Sequence, residues 1–312
     1  MTARSTRHAT ASLSPLSVTA DARGFWRDFW ARLAANRLAL LSGILLISVI
    51  AVAIFGPLVY GQSATDISSD YALNTFPSAL HVLGTDSDGR DTLARLMGGL
   101  RVSLLVAVFV EVINIGLGAT LGLIAGYFGG ALDFIISRLA DMLFAFPGLL
   151  LAILVSAVFG RAAEDQFGGI GRLLLVTGAL SLVSWPLMAR YVRGQTLALR
   201  ERDFVLAARS LGAGSGRILI SHILPSLAGL IVVSSTLDVA NVVINEAVLS
   251  LLGLGIQPPD PSLGIMITQA TPFLQTNWTQ VFFPSLTLTG IVLSVSFLGD
   301  GLRDALDPQS LR

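Results

Sequence analysis

The sequence contains no cysteine, which removes disulfides, thiolate metal sites and cysteine nucleophiles together. It contains no lysine either: all 20 basic residues are arginine. A Walker phosphate loop, Gly-x-x-x-x-Gly-Lys-Ser/Thr, therefore has no place in it. Charge of both signs is scarce, at 13% of 312 residues, where a soluble domain carries roughly 25%. The 20 acidic residues cancel the arginines. No net field is left to attract nucleic acid, and no aromatic residues interleave with basic ones as in a strand-binding groove. The histidines His8, His81 and His222 all fall outside the apolar blocks, and no paired-aspartate motif occurs. A membrane enzyme such as an intramembrane protease would lack its nucleophile and base, so no catalytic residue is assigned. Residues 1–21 are polar, without the apolar core of a cleavable signal, and read as a tail.

What the chain has instead is apolar residues, 53% of the total, in long blocks. A spanning helix needs roughly 20 mostly apolar residues, at about 1.5 Å each through a hydrocarbon core about 30 Å thick. Residues 38–60, 100–128, 134–159, 173–189, 225–252 and 282–299 meet that requirement, which predicts an all-α polytopic membrane protein with six transmembrane helices. Over 25–37, Phe25, Trp26, Phe29, Trp30 and Leu33 share a helical face against Arg27, Asp28, Arg32 and Arg37. That suits a helix lying at the membrane surface, or the aromatic and basic collar of the first span. The chain divides into a tail with this interfacial helix (1–37), the six-helix domain (38–303) and a second tail (304–312). With both termini cytoplasmic, fifteen arginines fall in inner segments and five in outer ones, as the retention of positive charge inside requires.

The inner loop at about 193–222 is the most informative segment. From Arg200 to Ala213 it reads as a short charged helix, including Asp203, Leu206, Ala207, Ala208 and Arg209, stopped at Gly212, which permits a left-handed turn. A second stretch then returns to the membrane at Leu224 and Pro225. Within the fifth span Ser234, Asp238, Asn241 and Asn245 recur at helical intervals, with Glu246 adjacent, and Glu111 and Asn114 lie one turn apart in the second. Polar groups in lipid face protein or water. These residues line a translocation pathway or a subunit seam, or satisfy one another inside the bundle. Arg138 and Asp141, one turn apart, suggest a structural ion pair. Gly84-Thr85-Asp86 with Asp88-Gly89 lacks the full ligand spacing of a calcium loop and reads as a turn leading to a helix capped near Asp91; no metal site is expected.

Ala207, Ala208, Gly212, Leu224 and Pro225 stand at the spacing of the coupling loop of ABC importer permeases, Glu-Ala-Ala, three residues, Gly, nine residues, Ile-x-Leu-Pro, with Leu206 where the family has Glu and His222 where it has Ile. The blocks His81–Leu96, Gly126–Gly130 with Asp141 and Phe146-Pro147, Leu249–Pro259 and Gly299–Pro308 are similar to the C-type permease subunit of bacterial dipeptide, oligopeptide and nickel importers. The resemblance implies a multi-pass protein of the bacterial cytoplasmic membrane working by alternating access. Its implied partners are a B-type permease, two ABC ATPase subunits that hold ATP and Mg, and an external solute-binding protein. The implied cargo is peptides, with nickel chelates or glycosides as the alternative; this chain would carry no cofactor and hydrolyse no ATP. A stand-alone channel or secondary transporter leaves the loop unexplained.

Overall fold

The computed structural model describes residues 22–67 and 72–306. The tail expected at 1–21 and residues 307–312 of the second tail lie outside them, as do the side chains of Phe25 and Trp26. No strand occurs among the described residues. Helix α1 (Ala22–Ala35) ends beside Asn36, whose side chain caps α2 (Arg37–Tyr60) by accepting from the Ala39 N–H at 3.1 Å. The first helix is therefore an element of its own. Phe29 is buried while Trp30 stays exposed, and Leu33 approaches Gly301.

After α2 come α3 (Thr92–Ile113), a π-helical turn (Asn114–Ala119) and α4 (Thr120–Phe128), which form one continuous rod. Then follow α5 (Gly130–Phe144), α6 (Gly148–Leu199), α7 (Asp203–Ser210) and α8 (Ser215–Ile218). A second π-turn (Leu219–Ile223) joins α8 to α9 (Leu224–Leu251), and α10 (Leu263–Ala270) and α11 (Thr279–Leu306) complete the chain. The π-turn before α9 has a local cause. Pro225 offers no N–H and its ring crowds the carbonyl one turn back, so the helix widens there.

Five helical runs are long and apolar enough to cross a membrane. The longest, α6, is two legs. Gly168 at φ 62°, ψ −147° is outside helical geometry, and the chain reverses there. Beyond it Gly171 lies against the Ala163 carbonyl, Arg172 covers Gly160, and a methyl on Gly148 would sit 3.5 Å from Val183. Along a straight helix the 35 residues from 148 to 183 would span about 50 Å, so 148–167 and 169–199 run antiparallel. Helix α5 continues the first leg down the same neighbour, with Ala140 packed on Trp185 and Ala189 and Asp133 bonded to Arg193. The expected third span, 134–159, is thus α5 and the first leg joined through Phe146-Pro147, and the expected fourth lies in the second leg.

The outer surface of this bundle is apolar: Leu58 and Val59 of α2 are 79% and 86% exposed, a cost in water and none in lipid. Helix α4, with the π-turn before it, and the second leg of α6 lie close together and parallel. Gly118, Gly122 and Gly126 face Trp185, Ala189 and Arg193 in turn, and a methyl at Gly118 or Gly126 would come within 2.8 Å of the facing carbonyl oxygen. Small residues every four positions let backbones approach where no hydrophobic force drives helices together. One buried cluster fills the bundle's centre through Val106, Val110, Leu180, Val243 and Ile291; a second, with Met188, Val192, Ile218 and Leu227, fills the end that carries α7.

Candidate functional site: a docking helix and a polar centre

Helix α7 projects from the end of the bundle and is anchored by one residue. Val205 is fully buried beside Ile218, Ile223 and Leu227, while Ala208 and Ala213 pack at the margin. The opposite face is uncovered. Phe204, Ala207 and Leu211, spaced three and four apart, share it, with Phe204 43% and Leu211 88% exposed. Asp203 supplies a carboxylate to the first turn and Arg209 a cation to the last, each favourable to the helix dipole. The helix ends as the glycine suggests. Gly212 takes φ 84°, its N–H bonds to the Arg209 carbonyl, and the Ala213 N–H reaches the Ala208 carbonyl, both at 3.0 Å. This pair of bonds satisfies the last carbonyls and turns the chain sharply.

Two arginines tie this loop to the membrane rods. Arg200 donates to the Gly126 carbonyl at 3.1 Å, and the Arg209 guanidinium lies 5.7 Å from the centre of the Tyr127 ring. Both contacts fall at the end of α4, the helix whose glycine ladder packs on α6. Leu206, where the resemblance expects a carboxylate, is 42% exposed. Leu224 is half-buried against the second cluster and Pro225 is exposed at the start of α9.

The polar centre joins two helices. Asn114 opens the π-turn after α3, and its amide donates to Asp238 of α9 at 2.9 Å and toward Glu111 at 3.4 Å. Both carboxylates and the amide thus meet inside the bundle, with Asn241 a further neighbour of Asp238. Among the described residues neither Glu111 nor Asp238 has an ion-pair partner. The carbonyl oxygen of Asn114 is buried without a donor. A cavity of about 370 Å³ opens beside this centre, walled by Leu187, Tyr191, Ser234, Asp238, Asn241 and Arg303 among others.

Two sequence expectations are revised by these contacts. Glu246 does not belong to the polar stripe. It is fully buried on another face of α9, accepting from Ser103 and Ser250 at 2.8 Å each. One residue of helix turns a side chain through about 100°, enough to take Glu246 away from Asn245; Asn245 itself is half-buried and outside the cavity wall. Arg138 does not pair with Asp141. Asp141 meets Arg190 at 3.0 Å, whose guanidinium also stacks on Phe144, and Asp133 holds Arg193 at 2.7 Å, so both pairs bind α5 to α6. Between α9 and α11 lies α10, a helix that no sequence reading gave and that Ser262 starts by accepting the Ile265 N–H.

The turn-and-cap reading of 84–91 matches the structure. Asp91 accepts the Ala94 N–H at 2.9 Å with one oxygen and bonds Tyr60 and His81 with the other. The residues missed in the sequence are Arg303 at the cavity and the glycine ladder. The latter had a legible signal, glycine at every fourth position from 118 to 126.

Residues 118–312 match the family of binding-protein-dependent transport system inner membrane components. Residues 24–77 match the N-terminal transmembrane domain of oligopeptide transport permease C. The chain is similar along nearly its whole length to the glutathione transport system permease protein GsiD of Pectobacterium atrosepticum, 40% identical over 96% of this chain and 97% of that one. It is 39% identical to the dipeptide transport system permease protein DppC of Alkalihalophilus pseudofirmus, over 91% and 90% of the two chains. The glutathione permease protein of Escherichia coli O157:H7 is 40% identical over 97% of each.

Proposed function

The chain belongs to the family of binding-protein-dependent transport system inner membrane components, and from that premise we propose that it is the C-type permease of an ATP-driven importer carrying short peptides across the cytoplasmic membrane. Two relatives are named for glutathione and dipeptide transport, and both cargoes are small peptides. The observation that carries the mechanism is α7, a short helix held by Val205 with Phe204, Ala207 and Leu211 left bare. An apolar face of Phe204 and Ala207 on the eight-residue helix, continued by Leu211 at its C-cap, is the size of a plug for a groove on a partner, and groove recognition of a helix reads such i, i+3, i+7 anchors.

In this reading ATPase partners close on ATP, grip α7 and push it. The push passes through Arg200 and Tyr127 into α4 and α6 and rocks the bundle about the polar centre. Asp238, Asn241 and Ser234 then line the path that opens to each side in turn. The loaded binding protein drives the cycle only if it favours one of the two states, since equal affinity shifts nothing. The arginine distribution supports placing the α7 end in the cytoplasm.

The experiment is co-purification and uptake of the Ala207→Asp variant. A carboxylate at the centre of the bare face should leave insertion into the membrane unchanged while abolishing both ATPase association and ATP-driven uptake. Full association and full uptake would overturn the docking role of α7.

A further inference from the structure

The polar centre has too many acceptors. Glu111 and Asp238 bring four carboxylate oxygens, and the donors set against them are the two N–H bonds of the Asn114 amide, with the Ser235 hydroxyl beside Glu111 and the Asn241 amide beside Asp238. That residue is 2% exposed and its own carbonyl oxygen is buried without a donor. It borders the recess formed with Ser184, Tyr191, Ser234 and Asp238 that runs into the larger cavity. Adjacent carboxylates repel unless a proton or cation lies between them. The chain contains no lysine, and among the described residues no arginine or histidine is bonded to either acid. A group bringing several N–H donors and one positive charge would satisfy these acceptors at once, and a primary ammonium has that inventory.

The same cavity carries a second charge of opposite sign. Arg303 of α11 borders it and, among the described residues, makes no hydrogen bond or ion pair. Its height is set by packing. Gly299 of α11 lies against Leu237 of α9, a methyl there reaching 2.8 Å from it, and Arg303 follows one turn later, about 6 Å nearer the α7 end. An extended chain advances about 3.3–3.6 Å per residue, so the two termini of a dipeptide stand about 7 Å apart. The cavity volume of about 370 Å³ falls among those of ligand pockets.

We propose that this cavity is a zwitterion subsite, in which Asp238, backed by Glu111 and Asn114, takes the free ammonium of a short peptide and Arg303 takes its free carboxylate. The permease itself then checks both ends of its cargo, in addition to the selection made by the binding protein. This rests on reading the cavity as the translocation path.

The test uses the complete importer, both permeases with both ATPases and the binding protein, reconstituted in liposomes. Uptake of dialanine, N-acetyl-dialanine and dialanine amide is measured for the wild type, Asp238→Asn and Arg303→Gln. Selection by the binding protein is common to all three complexes and cancels in the ratios. Asp238→Asn should slow dialanine and the amide by about tenfold, the worth of one charge-assisted hydrogen bond, while N-acetyl-dialanine keeps its wild-type rate within about twofold. Arg303→Gln should slow dialanine and N-acetyl-dialanine by the same factor and spare the amide. Equal slowing of all three probes in assembled complexes would leave the path and overturn the subsite, marking the acid pair as packing or as a site for a proton or inorganic cation. Unchanged dialanine uptake in both variants, or a wild type that carries none of the probes, overturns it too. Loss of the second permease on purification of Asp238→Asn would instead place a subunit seam at the stripe and remove the path reading itself.

Discussion

Asn114 is where Glu111 and Asp238 meet, and its position depends on backbone geometry as much as on its side chain. It opens a π-turn, which adds a residue to the turn and rotates α4 relative to α3. The flanking Gly116 and Gly118 leave room for that widening, and Gly118 closes onto Met188 directly below. Replacing Asp238 with Leu removes an acceptor of the Asn114 amide and leaves a buried donor unpaired, at about 1–3 kcal/mol. Uptake by Asp238→Leu should fall at least about tenfold with the ATPases still bound; undiminished transport would return the stripe to an internal packing role. At Gly122 the constraint is steric. A side chain there meets the Ala189 carbonyl and Val192, and forced overpacking costs about 1–3 kcal/mol. Gly122→Val should lower the melting temperature of the purified complex and its yield, whereas Gly116→Ala, which meets nothing within 4 Å, should leave both unchanged. The periodicity of Ser234, Asp238 and Asn241 was legible because it is local to one helix. That Asp238 meets Asn114, 124 positions away, is a fact of helix rotation that no spacing within α9 contains.

At the scale of elements, α7 is the part most completely legible in the sequence. A charged start, an alanine pair and a glycine stop are short-range signals, and the helix and its glycine turn follow them closely, whereas the bare face of Phe204, Ala207 and Leu211, with Ala208 turned to the core, came only from the structure. Gly212 sits at φ 84°, where a residue with a Cβ costs about 1–2 kcal/mol, and two hydrogen bonds depend on that turn. Gly212→Val should therefore insert normally and lose most ATP-driven uptake, with ATPase activity no longer stimulated by the loaded binding protein; a variant with full stimulation would show that the turn is dispensable. Helix α10 was not legible, since eight residues within a loop rich in glycine and proline carry little periodicity. The hairpin in α6 was legible in outline, because Arg161, Glu164, Asp165 and Arg172 mark a polar stretch between two apolar ones, although the reversal itself rests on Gly168.

For the whole molecule, the arrangement of rods makes a strict statement about sidedness, because the tip of the α6 hairpin and α7 lie at opposite ends of the second α6 leg. The chain has no native cysteine, so single introduced thiols report position cleanly. A membrane-impermeant maleimide should label Gln166→Cys in spheroplasts, and Ser210→Cys only after the membrane is opened. The reverse pattern would invert the topology and take α7 away from the ATPases. By itself the sequence determined the apolar lengths that cross the bilayer, the arginine bias across it and the capped helix that projects from one end. Each of these is a property of contiguous residues, set by hydrophobic length, charge and local backbone preference. Only the tertiary structure decided that Asp141 takes Arg190 rather than Arg138, that Glu246 turns to Ser103 and Ser250, and that Arg303 borders the same cavity as Asp238. Those outcomes depend on how each helix is rotated about its axis and which neighbour it meets. A helix face is written in the sequence, but what the face touches is set by packing among distant segments.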